Sequence, residues 1–238
     1  MNVLIIGSGG REHAFCLSLK KSDKINKIYC LPGNAGTDLI AQNILLDIKK
    51  FNKIKEFILE NNIDFVIVGP EQPLVDGIVD YLEQYNINIF GPNKLASQLE
   101  GSKTFTKELC KKFGIPTANF GIFESSNDAK KFLESCKLPI VIKADGLASG
   151  KGVYICNEKQ EAFLAVEEIF KGKFGLAKKI LIEEFLDGEE MSFFIISDGE
   201  SYYKFGTAQD HKRVNEGDKG KNTGGMGAYS PSRLENQT

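Results

Sequence analysis

Residues 4–14, LIIGSGGREHA, join an apolar run to a glycine-rich turn and then to polar residues that open a helix. Val3 to Ile6 is apolar at every position, the mark of a strand covered on both faces in a parallel sheet. A strand–glycine–helix junction of this kind holds phosphates, and in its dinucleotide form needs a third glycine plus an acidic residue closing the second strand. Glu12 stands where that glycine belongs, and the second strand ends Tyr29-Cys30-Leu31-Pro32-Gly33 without a carboxylate. Dinucleotide binding is therefore disfavoured. A helix amino terminus remains, with Gly9, Gly10, Arg11, Glu12 and His13 in place for a compact phosphate monoester. The competing reading is a tight turn with Arg11 in solvent.

Outward from this stretch, apolar runs alternate with helical spacing up to about residue 100. Strands are expected at Val3 to Ile6, Ile28 to Leu31 and Asp64 to Val68. Phe51, Ile54 and Ile58, and then Leu74, Ile78 and Leu82, follow helical periodicity. This βαβ rhythm predicts a Rossmann-like parallel sheet whose ligands lie beyond the carboxyl ends of its strands. Two further loops fall at that edge, PGNAGT with Asn34 and GPEQP with Glu71. Each alone reads as ordinary turn chemistry; together they line one crevice.

Beyond residue 100 the pattern changes to α+β. A helix from Ser102 to Phe113, with Phe105, Leu109 and Phe113 on one stripe, precedes strands at Ile140 to Lys143 and Gly152 to Cys156. A helix carrying Ala162, Val166 and Phe170 follows, then strands at Ile180 to Glu183 and Met191 to Ile196. The division predicted is 1–100 and 101–238, with a subdomain over about 118–188.

The composition, 42% hydrophobic and 26% charged over 238 residues, is that of a globular protein with a real core. A formal net charge of −2 with interleaved signs argues against a nucleic-acid or membrane face. Five dispersed cysteines without a C-x-x-C pair fit reduced thiols. No signal peptide or membrane span is read, so a cytoplasmic location is expected.

VIKADGLASGKGV, Val141 to Val153, falls short of a P-loop on two counts. Its glycine spacing is one residue short, and Gly152 stands where a hydroxyl should bind magnesium. Flanked by strands, the loop tops a hairpin and is expected to fold over a triphosphate, with Lys143 behind it and Lys151 within it. A mobile hairpin with ordinary lysines is the plainer reading, penalised because Lys143 sits in an apolar strand that requires an anion beside it. ILIEEFLDGEEMSFFI offers a Phe185–Leu186 shelf for an adenine, flanked by Glu183, Glu184, Glu189 and Glu190, or a solvated hairpin. QDHKRVNEGDKGKNTGGMGAYSP, Gln209 to Pro231, reads as an active-site loop or a disordered linker.

The set GSGGREHA, PGNAGT, VGPEQPLVDG, FGPNKLASQLEGSKTFTK, IVIKADGLASGKGV, IEEFLDGEEMSF and QDHKRVNEGDKGKNTGGMGAYSP closely resembles the phosphoribosylamine–glycine ligase family of ATP-grasp enzymes, along the whole chain. The resemblance implies a pre-ATP-grasp domain followed by the first part of an ATP-grasp domain. It implies ligation of glycine to 5-phosphoribosylamine with ATP through glycyl phosphate, in purine synthesis. Lys103, Lys143, Gly146, Ser149, Gly150, Lys151 and Gly152 would hold the ATP phosphates; Glu183, Phe185 and Leu186 the adenine; Glu190 the ribose. Gly9, Gly10, Arg11, Glu12, Asn34 and Glu71 would hold phosphoribosylamine. Asp210, Lys212 and Arg213, with Gly224, Gly225 and Met226, would border the acceptor.

The family's magnesium (or manganese) ligands fall in a segment beyond Thr238. An N-terminal portion or truncated form, monomeric or dimeric, that binds nucleotide weakly and does not turn over alone is therefore expected. The alternatives are another ATP-grasp carboxylate–amine ligase, a dinucleotide oxidoreductase and a non-catalytic nucleotide-binding module.

Overall fold

The computed structural model describes residues 1–147, 152–175, 178–217 and 219–237. The chain divides into two compact units, Met1–Glu184 and Phe185–Thr238.

In the first unit, β1 (Asn2–Gly7), β2 (Lys27–Pro32), β3 (Gln42–Asn43), β4 (Phe65–Val68) and β5 (Ile89–Phe90) form an all-parallel sheet in the order β3-β2-β1-β4-β5. The apolar run of β1 is buried from Val3 through Gly7 because both faces are covered. Val3 and Ile5 pack with Cys16 of α1 (Gly10–Leu19). Leu4 and Ile6 pack with Ile54 and Ile58 of α2 (Phe51–Glu60). Successive strand residues point to opposite faces, so one unbroken apolar run feeds two cores. This is the expected parallel α/β layer.

The Leu74, Ile78 and Leu82 spacing is realised as two short helices, α3 (Glu71–Asp76) and α4 (Ile78–Glu83), parted by Gly77 at φ +96°. That left-handed conformation interrupts the helix and costs glycine little.

After α5 (Gln98–Gly101), α6 (Lys103–Phe113) starts at the expected Ser102, whose hydroxyl accepts the Phe105 N–H. Its predicted apolar stripe is only partly covered: Phe113 is 63% exposed, and the buried residue is Thr104. Gly114, left-handed, ends the helix directly after Phe113. β6 (Phe120–Phe123), α7 (Ser126–Ser135), β7 (Ile140–Ala144), β8 (Val153–Cys156), α8 (Lys159–Phe170) and β9 (Ile180–Glu184) follow. The four strands pair antiparallel in the order β6-β9-β7-β8. Ile140, Ile142 and Ile182 of this sheet bury against Ala162, Val166 and Ile169 of α8.

The second unit contains β10 (Ser192–Ser197) and β11 (Tyr202–Asp210), a hairpin of β12 (Arg213–Asn215) with β13 (Lys219–Asn222), and β14 (Ala228–Tyr229) against β11. β10 pairs with β11 and not with β9, so the acidic stretch between Glu184 and Ser192 is a connection, not the bend of a hairpin. All six residues of β10 are exposed, as are Tyr202, Tyr203 and Phe205 of β11. Among the described residues no helix is long and apolar enough to cross a membrane.

Candidate functional site

At the carboxyl edge of the parallel sheet, the three glycine-bearing loops meet as predicted. An open crevice of about 580 Å³ is lined there by the Gly7–Glu12 turn, Pro32, Asp47 and Glu71. Arg11 reaches across it, donating to the Gly69 carbonyl and to Glu71 Oε1 at 3.2 Å.

Two of the expected ligand groups, Glu12 and Asn34, make hydrogen bonds to the backbone of the crevice walls. Glu12 is 4% exposed, and its carboxylate accepts the Gly9 N–H at 2.5 Å. The amino end of α1 thus already carries an anion, and Gly9 is not a free donor. Room for that carboxylate comes from glycines: a Cβ on Gly7 or Gly69 would overlap it. Asn34 is equally committed. Its amide nitrogen donates to the Ser8 and Gly9 carbonyls at 2.9 and 3.3 Å, and its Oδ1 accepts from Gly36 and Thr37 N–H at 2.8 and 3.0 Å. Asn34 ties the second loop to the first. Gly10, Arg11 and Glu71 line the crevice, with Ser8 and Asp47 beside them.

In the antiparallel sheet, Lys143 on β7 meets its anion within the chain. Its ammonium contacts Oε1 of Glu183 on β9, whose side chain is 7% exposed. Lys107 of α6 approaches Oε2 at 2.6 Å from the other side. Lys107 directs its hydrogen bonds to Thr117 Oγ1 at 2.7 Å and the Ala118 carbonyl, so Oε2 gains charge contact without an aligned hydrogen bond. Glu183 is the counter-ion of two lysines, a role the residue pattern left unrecognised because all three residues are far apart in sequence.

Lys103, from the first turn of α6, donates to the Gly146 carbonyl at 2.7 Å. Burial pushes its ammonium below the ordinary lysine range, with the Lys143 charge acting in the same direction and Asp145 opposing it. Gly146 holds φ +94° as the chain leaves β7, and Gly152 is buried where it returns. Ser149, Gly150 and Lys151 lie outside the described residues.

In the second unit, Phe185 is half-buried and Leu186 is 65% exposed. Glu190 pairs with Lys212, whose ammonium is held above its ordinary range first by that hydrogen bond. The stretch from Gln209 carries the end of β11 and the strands β12, β13 and β14. The His211 backbone N–H donates to the Gly227 carbonyl at 2.9 Å, and the His211 carbonyl accepts the Met226 N–H at 2.8 Å. Gly224, Gly225 and Met226 therefore lie beside Asp210 and Lys212. Arg213 donates to the Gly220 carbonyl at 3.3 Å.

Two family models cover the chain: phosphoribosylglycinamide synthetase, N domain, matches residues 1–100, and its ATP-grasp (A) domain matches 101–238. A phosphoribosylamine–glycine ligase of Mesorhizobium japonicum is 52% identical over 233 residues, 98% of this chain and 55% of that protein. The ligase of Clostridium acetobutylicum is 46% identical over 98% of this chain and 56% of its own length. The chain thus spans about half the length of the curated relatives it matches. A crystal structure of phosphoribosylamine–glycine ligase from Thermotoga maritima superposes with a TM-score of 0.82 at 33% identity, covering 100% of this chain and 57% of that one. The chain belongs to the phosphoribosylglycinamide synthetase family.

Proposed function

We propose that the protein uses ATP to join glycine to 5-phosphoribosylamine, and that Lys103 and Lys143 receive the nucleotide's polyphosphate. The observation that carries this is the half-buried Lys103, whose ammonium sits on the Gly146 carbonyl at the exit of β7, the strand that also carries Lys143. A polyphosphate beside them would favour the charged form of the lysines. Lys143 retains donors beyond the one turned to Glu183, since an ammonium has three. The crevice beside Arg11 and Glu71 takes the phosphoribosyl group.

A carboxylate is a poor electrophile for an amine. Transfer of the terminal phosphoryl of ATP to glycine gives glycyl phosphate and ADP; the amine then attacks the carbonyl and phosphate leaves. No side-chain nucleophile is needed. The lysines neutralise phosphate charge and fix its position. Magnesium, which is usually held by substrate phosphates and one or two carboxylates, would add to that neutralisation when bound.

Calorimetric titration with ATP, alongside NAD and NADP, tests the binding site. Binding of ATP with blanks for both dinucleotides is expected; the reverse pattern overturns the reading. ADP release that requires both glycine and phosphoribosylamine distinguishes ligase from binding module.

A further inference from the structure

Asp145, the first residue after β7, lies against the amino end of α6. Its carboxylate accepts the Ser102 hydroxyl at 3.1 and 3.2 Å, the Thr104 N–H at 3.1 Å and the Thr104 hydroxyl at 2.9 Å. Ser102 Oγ meanwhile accepts the Phe105 N–H at 3.1 Å. The helix is thus capped twice, by its own serine and by an aspartate 41 to 43 positions further along. A carboxylate here satisfies an orphan N–H and complements the helix dipole.

Between the two residues that Asp145 grips sits Lys103, and its ammonium donates to the carbonyl of Gly146, the residue after Asp145. Two consecutive residues of one segment therefore hold three consecutive residues of the other. Thr104 is 5% exposed, so the joint is packed as well as bonded. A lysine on a free helix end samples many rotamers; one whose neighbours on both sides are fastened starts from a fixed Cα and has less freedom to lose on meeting a ligand.

We propose that Asp145 is a positioning residue for polyphosphate binding: it fastens the first turn of α6 to the exit of β7 and thereby places the Lys103 ammonium, without touching the nucleotide. This rests on the reading that Lys103 meets the polyphosphate.

The test is a double-mutant cycle on the 238-residue chain, titrated calorimetrically with the non-hydrolysable ATP analogue AMP-PNP. Asp145→Ala is expected to weaken binding roughly ten-fold, the scale of one charge-assisted hydrogen bond. Lys103→Met weakens it too, and the double variant binds no more weakly than the worse single one, because Asp145 acts through Lys103. Asp145→Asn, whose oxygen still accepts the Thr104 N–H, restores most of the affinity. Should Asp145→Ala fail to fold, Ser102→Ala with Thr104→Val removes the hydroxyl bonds to Asp145 and leaves only the Thr104 N–H, so a smaller loss of affinity, again absent on top of Lys103→Met, is expected. Wild-type affinity in the bond-deleting variant, or losses that multiply with Lys103→Met, overturns the role of Asp145. Silence of the wild type toward AMP-PNP overturns the nucleotide reading itself.

Discussion

Glu12 and Gly69 compete for one volume: a Cβ built on Gly69 would stand 2.6 Å from Glu12 Cδ. Gly69 is thus a glycine because the carboxylate that caps α1 lies against it. Gly69→Ala should destabilise the protein by about 1–3 kcal/mol, as overpacked sites do. With Glu12→Ala in the same chain the overlap is gone, so the combined loss should be smaller than the sum. Urea midpoints of the three variants check this; additive losses would show that the two side chains do not share the space.

Glu183 is the hub of a buried ion cluster, and its removal leaves two ammonium groups facing one another. Glu183→Ala is expected to cost about 3–5 kcal/mol, the penalty for orphaning a buried charge. Glu183→Gln, which keeps the shape and one acceptor, should cost less. Lys143→Met leaves Lys107 as the partner and should fall between the two. A Glu183→Ala loss below about 1 kcal/mol, the scale of an exposed pair, would mean that water reaches the cluster.

Periodicity was sufficient for elements whose stability is local or whose faces are simply apolar. Val3 to Ile6, the Phe51–Ile58 stripe and the Ser102 cap all lie where pattern places them. What pattern missed depends on partners distant in sequence. Glu12 and Asn34 sit in a ligand-like loop and carry ligand-like groups, yet their hydrogen bonds go to the backbone around them. Glu183, 40 positions from Lys143, becomes its partner only once β7 and β9 pair. Asp145 had no local signal at all, since its partners lie on α6. Between Gln209 and Pro231, β11 pairs with β14 and β12 with β13, backbone bonds that a count of glycines does not register.

The cysteines divide by reactivity. Cys16, Cys30 and Cys156 are buried; burial pushes the Cys16 thiol up to about 12 and the Cys156 thiol to about 11, and raises Cys30 as well. Cys110 and Cys136 are half-exposed, though burial also raises Cys136. The thiolate is the reactive form. Native protein at neutral pH should therefore release thionitrobenzoate from Ellman's reagent at Cys110 first and Cys136 more slowly, with the remaining three reacting only after denaturation. Fast reaction of Cys16 or Cys156, located by mass spectrometry of the labelled peptides, would contradict their burial.

Lys103 couples stability to pH with a definite sign. Its folded-state value is lowered, chiefly by burial, while the unfolded chain titrates near the ordinary 10.5. Between those two values the unfolded state holds a proton that the folded state has released, so stability rises with pH across the window. Below the folded-state value the cost of burying the cation is present in full. Lys103→Met should accordingly be more stable than wild type near neutrality, and the advantage should shrink as pH climbs toward 10.5. A bound polyphosphate reverses the bias, because it favours the charged lysine. Affinity for ATP should then fall as pH rises through the folded-state value, with proton uptake on binding seen as a buffer-dependent heat. Lys103→Met should abolish both effects. A Lys103→Met stability difference that stays constant between neutrality and pH 10 would place the ammonium in water and remove the basis for its role as a phosphate receiver.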